Sequence, residues 1–123
     1  MAKILIIDDD ASIRALLVAI LEEGNHELRE ADDGRKGLRM FQDDPADLVI
    51  TDVLMPEKDG VELIMELKEI DPDAKIIAMS GGGRGLDATF NLRMAQDFGA
   101  QRLMVKPFSA SEALEAIATV LKG

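Results

Sequence analysis

Residues Lys3–Asp10 read KILIIDDD, a short β-branched apolar run that stops abruptly on three carboxylates. A strand with one wet face alternates apolar and polar residues, and Ile4 to Ile7 do not alternate. Such a run is expected where a strand is buried on both faces, as in a parallel sheet covered by helices on each side. The stretch after it changes period. Ile13, Leu16, Leu17, Ile20 and Leu21 recur at helical spacing, and Gly24 is expected to close that helix.

The same two-beat unit repeats along the chain. His26 to Ala31 form a weaker, more polar strand, expected near a sheet edge. Asp33-Gly34 carries a turn signal, and Gly37 to Phe41 lie in a short second helix. Leu48 to Thr51 are a second strand of the buried type. Val61, Leu63, Ile64, Leu67 and Ile70 then mark a third helix, stopped near Asp71-Pro72. Lys75 to Met79 form the fourth strand, followed by glycine-rich residues 81 to 86 and a fourth helix from about Asp87 to Phe98, ending at Gly99. Arg102 to Val105 form the fifth strand. Ser109 and Glu112 have capping-box spacing ahead of a last helix, whose expected buried stripe is Ala113, Leu114, Ile117 and Leu121. Five strand-helix units in strict alternation imply an α/β fold, a parallel sheet with helices on both faces.

Composition narrows the function. The 123 residues are 47% hydrophobic, enough material for one domain with its own core. Cysteine is absent, which excludes disulfides and thiolate metal sites. Acidic residues outnumber basic ones 24 to 14, for a formal charge of −10, and no Lys/Arg cluster stands out; this balance repels a nucleic-acid backbone. No apolar run has the length of a signal peptide or membrane span, so a cytoplasmic protein without membrane insertion is expected.

In open parallel sheets, ligands bind at the carboxyl ends of the strands. The residues there are Asp8-Asp9-Asp10, Asp52, Ser80 and Lys106. If the first and third strands are neighbours, Asp8, Asp9 and Asp52 converge, and like charges so close call for a cation. All-oxygen donors suit Mg2+, which keeps several of its waters. Asp10 or Ser12 is expected to cap the first helix. A hydroxyl and an ammonium, Ser80 and Lys106, are what a phosphoryl group needs as its oxygens gain charge.

The segments IIDDD (Ile6 to Asp10), VITDVLMPEKDG (Val49 to Gly60), IIAMS (Ile76 to Ser80) and VKPF (Val105 to Phe108) resemble the response-regulator receiver family across the whole chain. The resemblance implies a flavodoxin-like sheet in strand order 2-1-3-4-5 and a single receiver domain over residues 1–123, with no effector domain. It implies that Asp52 accepts a phosphoryl group from a sensor histidine kinase or histidine phosphotransfer protein. It further implies Mg2+ held by Asp8 (mainly through water), Asp9, Asp52 and the backbone carbonyl of Leu54. Ser80 matches the hydroxyl that moves toward the phosphoryl group, Lys106 its ion-pair partner, and the Lys106-Pro107 bond is expected to be cis. Kinase contacts are implied around Ala11 to Ala15 and Pro107-Phe108. Output to an unnamed protein is implied through the face between the fourth and fifth helices.

Three features depart from the family pattern. Leu103 stands where the switch aromatic usually sits, so relay through a swinging ring is not expected. Gly81 to Gly85 open an unusually long stretch before Lys106, and this loop is expected to order on phosphorylation instead. Leu54 and Gly82 occupy positions that influence a hydrolytic water, and neither side chain can bind one. Two rival readings are a haloacid-dehalogenase-type phosphatase, echoed by Asp8-x-Asp10-x-Ser12, and a degenerate receiver used as an interaction module. The former leaves VITDVLMPEKDG unexplained. If the receiver reading holds, phospho-Asp52 is long-lived. A dephosphorylation time course comparing the wild type with Leu54→Asn and Gly82→Glu checks this: slow wild-type loss is expected, and rapid loss that neither change alters contradicts it.

Overall fold

The computed structural model describes residues 2–53, 60–81, 93 and 95–122. Its strands are β1 (Lys3–Ile7), β2 (Glu27–Ala31), β3 (Leu48–Asp52), β4 (Lys75–Gly81) and β5 (Arg102–Lys106). Its helices are α1 (Ala11–Leu21), α2 (Gly34–Asp43), α3 (Gly60–Ile70) and, at the C-terminal end of the described chain, α4 (Ala110–Lys122). All four strand pairings are parallel, and the sheet order is β2-β1-β3-β4-β5. The expected fold class and strand order are both found. Leu54, Met55-Pro56, Gly82 to Gly85 and most of the helix expected over 87–98 lie outside the described residues.

Side chains on β1 show why the run does not alternate. Successive residues of a strand face opposite sides of the sheet. Leu5 and Ile7 enter one core, with Phe41, Val49, Leu63, Ile64, Leu67 and Ala95. Ile4 and Ile6 enter the other, with Leu17, Leu21, Leu48, Ile50, Met79, Met104 and Ile117. Both faces are therefore dry, and an apolar residue is required at each position from Ile4 to Ile7. β2, the polar strand, lies at an edge as expected.

Local chemistry sets the helix ends. Asp10 caps α1 by accepting the Ser12 N–H at 2.9 Å and the Ser12 hydroxyl at 2.6 Å. Ser109 and Glu112 form the full capping box, each side chain accepting the other's backbone N–H at 3.0 Å. Near the end of the predicted fourth helix, Arg93 and residues 95–97 are helical. There Gly99 takes φ 128°, its N–H donates to Gln96 O, and the Ala100 N–H donates to Ala95 O, the paired bonds of a Schellman stop. Only glycine adopts that φ without strain.

Several local expectations are corrected. Asp33-Gly34 is not a turn: Asp33 is the N-cap of α2, accepting the Lys36 N–H at 2.8 Å, so the helix begins at Gly34. The left-handed residue after α1 is Asn25, at φ 63°, rather than Gly24, which closes a short 3-10 segment over Glu22–Gly24. β4 runs on to Gly81, which puts Ser80 inside the strand. On α4 the buried stripe is Ala113, Ala116, Ile117 and Val120, whereas Leu114 is 48% exposed.

These placements separate two apolar helix residues that look alike in sequence. Phe41→Ala empties a fully buried site and is expected to lower the unfolding free energy by about 3–5 kcal/mol. Leu114→Ala is expected to change it by no more than about 0.5 kcal/mol, because the side chain stands half in solvent. Chemical denaturation of the two variants checks the assignment, and a comparable loss in both would contradict it.

Candidate functional site

The register between strands builds the site. β1 pairs with β3 so that Ile7 stands opposite Thr51, which brings Asp8 level with Asp52. Asp8 is fully buried, Asp52 nearly so, and Asp9 is exposed. One carboxylate oxygen from each of Asp8, Asp9 and Asp52 lies within 4.8 Å of the others. The last residue of β5 reaches the same place: Lys106 Nζ stands 2.7 Å from Asp8 Oδ2 and 3.3 Å from Asp52 Oδ2. Asp8, Asp52 and Lys106 fall in step with Ile6, Ile50 and Met104, so the three charged groups continue one face of the sheet beyond its core.

Asp8 is held at every polar atom described. Its N–H donates to Ala31 O at 3.2 Å. Its carbonyl accepts Arg14 Nη1 at 2.7 Å. Oδ1 accepts the Asp10 N–H at 2.9 Å, and Oδ2 accepts Lys106. Burial pushes the Asp8 carboxyl above the usual aspartate range, and the bonds from Lys106 and the Asp10 N–H oppose that rise without cancelling it. For Lys106 the balance tips the other way. Burial alone would lower the ammonium's pKa, but the Asp8 hydrogen bond and the charges of Asp52 and Asp8 together hold it above the ordinary lysine value.

Ser80 reaches the same strand-end layer in the opposite alternation, in step with Ala78, and Asp52 is paired with its neighbour Met79. The Ser80 hydroxyl is buried and has no hydrogen-bond partner among the described residues. Leaving such a group unpaired costs about 1–3 kcal/mol, so the hydroxyl is a donor held without an acceptor. Thr51 Oγ1 donates to the Asp52 carbonyl at 3.0 Å, and the Val53 N–H donates to Met79 O, which fixes the backbone on both sides of Asp52. Leu103, half-buried on β5 beside Ala78, packs on the core that contains Ala78. The Lys106–Pro107 peptide is cis.

All the candidate side chains named from the sequence, namely Asp8, Asp9, Asp52, Ser80 and Lys106, come to this one strand-end layer; Leu54 lies outside the described residues. The donor set fits a hard divalent cation. Its atoms are all carboxylate oxygens, and one of the three residues is exposed enough to leave room for bound water. Three carboxylates against one ammonium leave a formal excess of two negative charges, which a divalent cation balances. Asp10 takes no part. Its carboxylate is engaged in capping α1, which removes the second acid that a phosphatase of the haloacid-dehalogenase type would need there. Arg14 was not legible as a site residue, since an arginine in the first turn of a helix ordinarily points to water.

Comparison with known proteins agrees with this geometry. Residues 4–118 match the family model of the response regulator receiver domain. The chain is 35% identical over 121 residues to the chemotaxis protein CheY of Thermotoga maritima, with 98% of each chain covered. It is 36% identical over 120 residues to the DNA-binding transcriptional regulator NtrC of Azospirillum brasilense, where it covers 98% of this chain but 24% of that protein. A response regulator receiver domain protein from Clostridium thermocellum has a similar solved structure, with TM-score 0.88, 32% identity, and 99% and 95% of the two chains covered. No helix among the described residues is long and apolar enough to cross a membrane. A five-stranded parallel sheet in the order 2-1-3-4-5, an acidic crevice at its carboxyl end and these matches make the chain a member of the response regulator receiver domain family, the receiver domains of two-component signalling.

Proposed function

We propose that the chain is a Mg2+-dependent phosphoacceptor switch in which Asp52 takes the phosphoryl group. The observation that carries this reading is the position of Lys106 Nζ, between Asp8 Oδ2 and Asp52 Oδ2, in the same strand-end layer as a buried Ser80 hydroxyl that has no acceptor among the described residues. An ammonium and an unused donor at the end of a strand that closes on a carboxylate are what a new set of phosphoryl oxygens requires.

In the transfer, an Asp52 carboxylate oxygen attacks the phosphorus of a phosphohistidine on a sensor histidine kinase or phosphotransfer protein. The new O–P bond forms as the P–N bond breaks, and its electron pair returns to the imidazole nitrogen. The backbone around Asp52, pinned by Thr51 Oγ1 and Met79 O, keeps the carboxylate still during the attack. Asp8, Asp9 and Asp52, with the Leu54 carbonyl, would hold Mg2+. When bound, it offsets charge on the carboxylate and on the transferred group. Lys106 exchanges its contact with Asp52 for a phosphoryl oxygen, and Ser80 donates its hydroxyl to another. Both movements carry the new charge toward β4, β5 and the helices beside them, a two-state rearrangement of the kind that phosphorylation drives elsewhere.

On this reading residues 1–123 act as one cytoplasmic receiver unit, an acceptor that promotes its own phosphorylation and slow dephosphorylation rather than a turnover enzyme. The partner kinase approaches the carboxyl end of the sheet, near Ala11 to Ala15 and Pro107-Phe108. The output protein reads the face between the fourth and fifth helices expected from the sequence.

Incubation with acetyl phosphate and Mg2+, followed by borohydride trapping and peptide mapping, tests the assignment. Label is expected on Asp52, and none is expected in Asp52→Asn or in the presence of excess chelator. Ser80→Ala should still accept the group, but about 10-fold more slowly, the value of one hydrogen bond to a charged acceptor. Label on Asp8, or labelling that persists in Asp52→Asn, would sink the proposal.

A further inference from the structure

Arg14 lies on the first turn of α1 and carries no assigned role, yet its guanidinium bridges the acidic site to the edge of the sheet. Nη1 donates to the Asp8 carbonyl at 2.7 Å, and Nε donates to Glu30 Oε1 on β2 at 3.2 Å. The side chain is 18% exposed, so it is largely held against the protein rather than solvated. The Asp8 carbonyl belongs to the peptide that leads into Asp9. Asp9 is the exposed member of the carboxylate trio, and no hydrogen bond among the described residues holds its side chain in place. The plane of the Asp8–Asp9 peptide therefore decides where the Asp9 carboxylate projects. Of the bonds on this stretch among the described residues, the Arg14 contact is the one that grips the carbonyl of that peptide.

We propose that Arg14 is a positioning residue: its forked guanidinium fixes the Asp8–Asp9 peptide against Glu30 so that the Asp9 carboxylate meets those of Asp8 and Asp52. This rests on the reading of the trio as a Mg2+ site. The geometry needs a planar fork, because the two acceptors lie on different elements and one ammonium is a poor match for both. Electrostatics alone argues the other way. A positive charge close to a cation site weakens cation binding, so deleting it should tighten binding. The sign of the change therefore separates positioning from simple charge.

The chain has no tryptophan or tyrosine, so Mg2+ binding is best followed by 1H–15N spectra, through the amides of residues 8 to 10. Three proteins are titrated with Mg2+ alone: the wild type, Arg14→Met and Arg14→Lys. Arg14→Met is expected to bind on the order of 10-fold more weakly, the usual cost of losing a group that orients a metal ligand, despite the removal of a competing charge. Arg14→Lys keeps the charge and is expected to weaken binding by several-fold for lack of the fork, and it carries the test alone if the methionine variant does not fold. Binding by Arg14→Met as tight as wild type or tighter, or wild-type binding by Arg14→Lys, overturns the proposal. A wild type that binds no Mg2+ would overturn the reading of the site itself, which the two variants leave untouched.

Discussion

Lys106 Nζ, 2.7 Å from Asp8 Oδ2 and 3.3 Å from Asp52 Oδ2, is the contact on which the carboxyl end of this sheet depends. The three residues come from the ends of three strands, 98 and 54 positions apart in the chain from Lys106. They meet only because β1 pairs with β3 and because the long lysine stem crosses β4. Asp8 is fully buried, and a buried carboxylate without a counter-charge is among the costlier things a fold can contain. The lysine makes the acid pair tolerable. It does not neutralise the site, and the remaining excess of negative charge is what equips it for a cation.

The same arithmetic explains why the crevice is poised rather than inert. The Ser80 hydroxyl is buried without an acceptor among the described residues, Asp8 is pushed toward protonation by its burial, and Lys106 is shared between two carboxylates. Each is a local cost in an otherwise dry and well-packed sheet. A divalent cation and a phosphoryl group would relieve the first two together and give Lys106 a new partner. Stored unsatisfied chemistry of this kind is expected where a protein must respond to a single added group.

Much of this was legible in the sequence. Short unalternating β-branched runs such as Ile4 to Ile7, alternating with helix-period segments, fit strands covered on both sides, and that pattern yields the parallel sheet and its helices. The site followed from a rule of position, since carboxylates, a hydroxyl and a lysine each fall where a strand ends. What escaped was decided by tertiary contacts. Asp33 looks like part of a turn but caps α2, because its carboxylate meets the Lys36 N–H. Leu114 has helical spacing but faces outward, since Ala113 and Ile117 already fill the contact with the sheet. Arg14 resembles any solvated helix arginine until β2 brings Glu30 beside it, and no local signal reveals that pairing.

The central claim is that Lys106 and a bound cation balance the same negative charge. Denaturant unfolding of Lys106→Met, with and without Mg2+, tests it most directly. Without the metal, the variant should lose about 3–5 kcal/mol, the cost of leaving buried carboxylates unpaired. With the metal, part of that loss should return, so that Mg2+ stabilises the variant more than it stabilises the wild type. Equal or smaller stabilisation of the variant by Mg2+ would contradict the account.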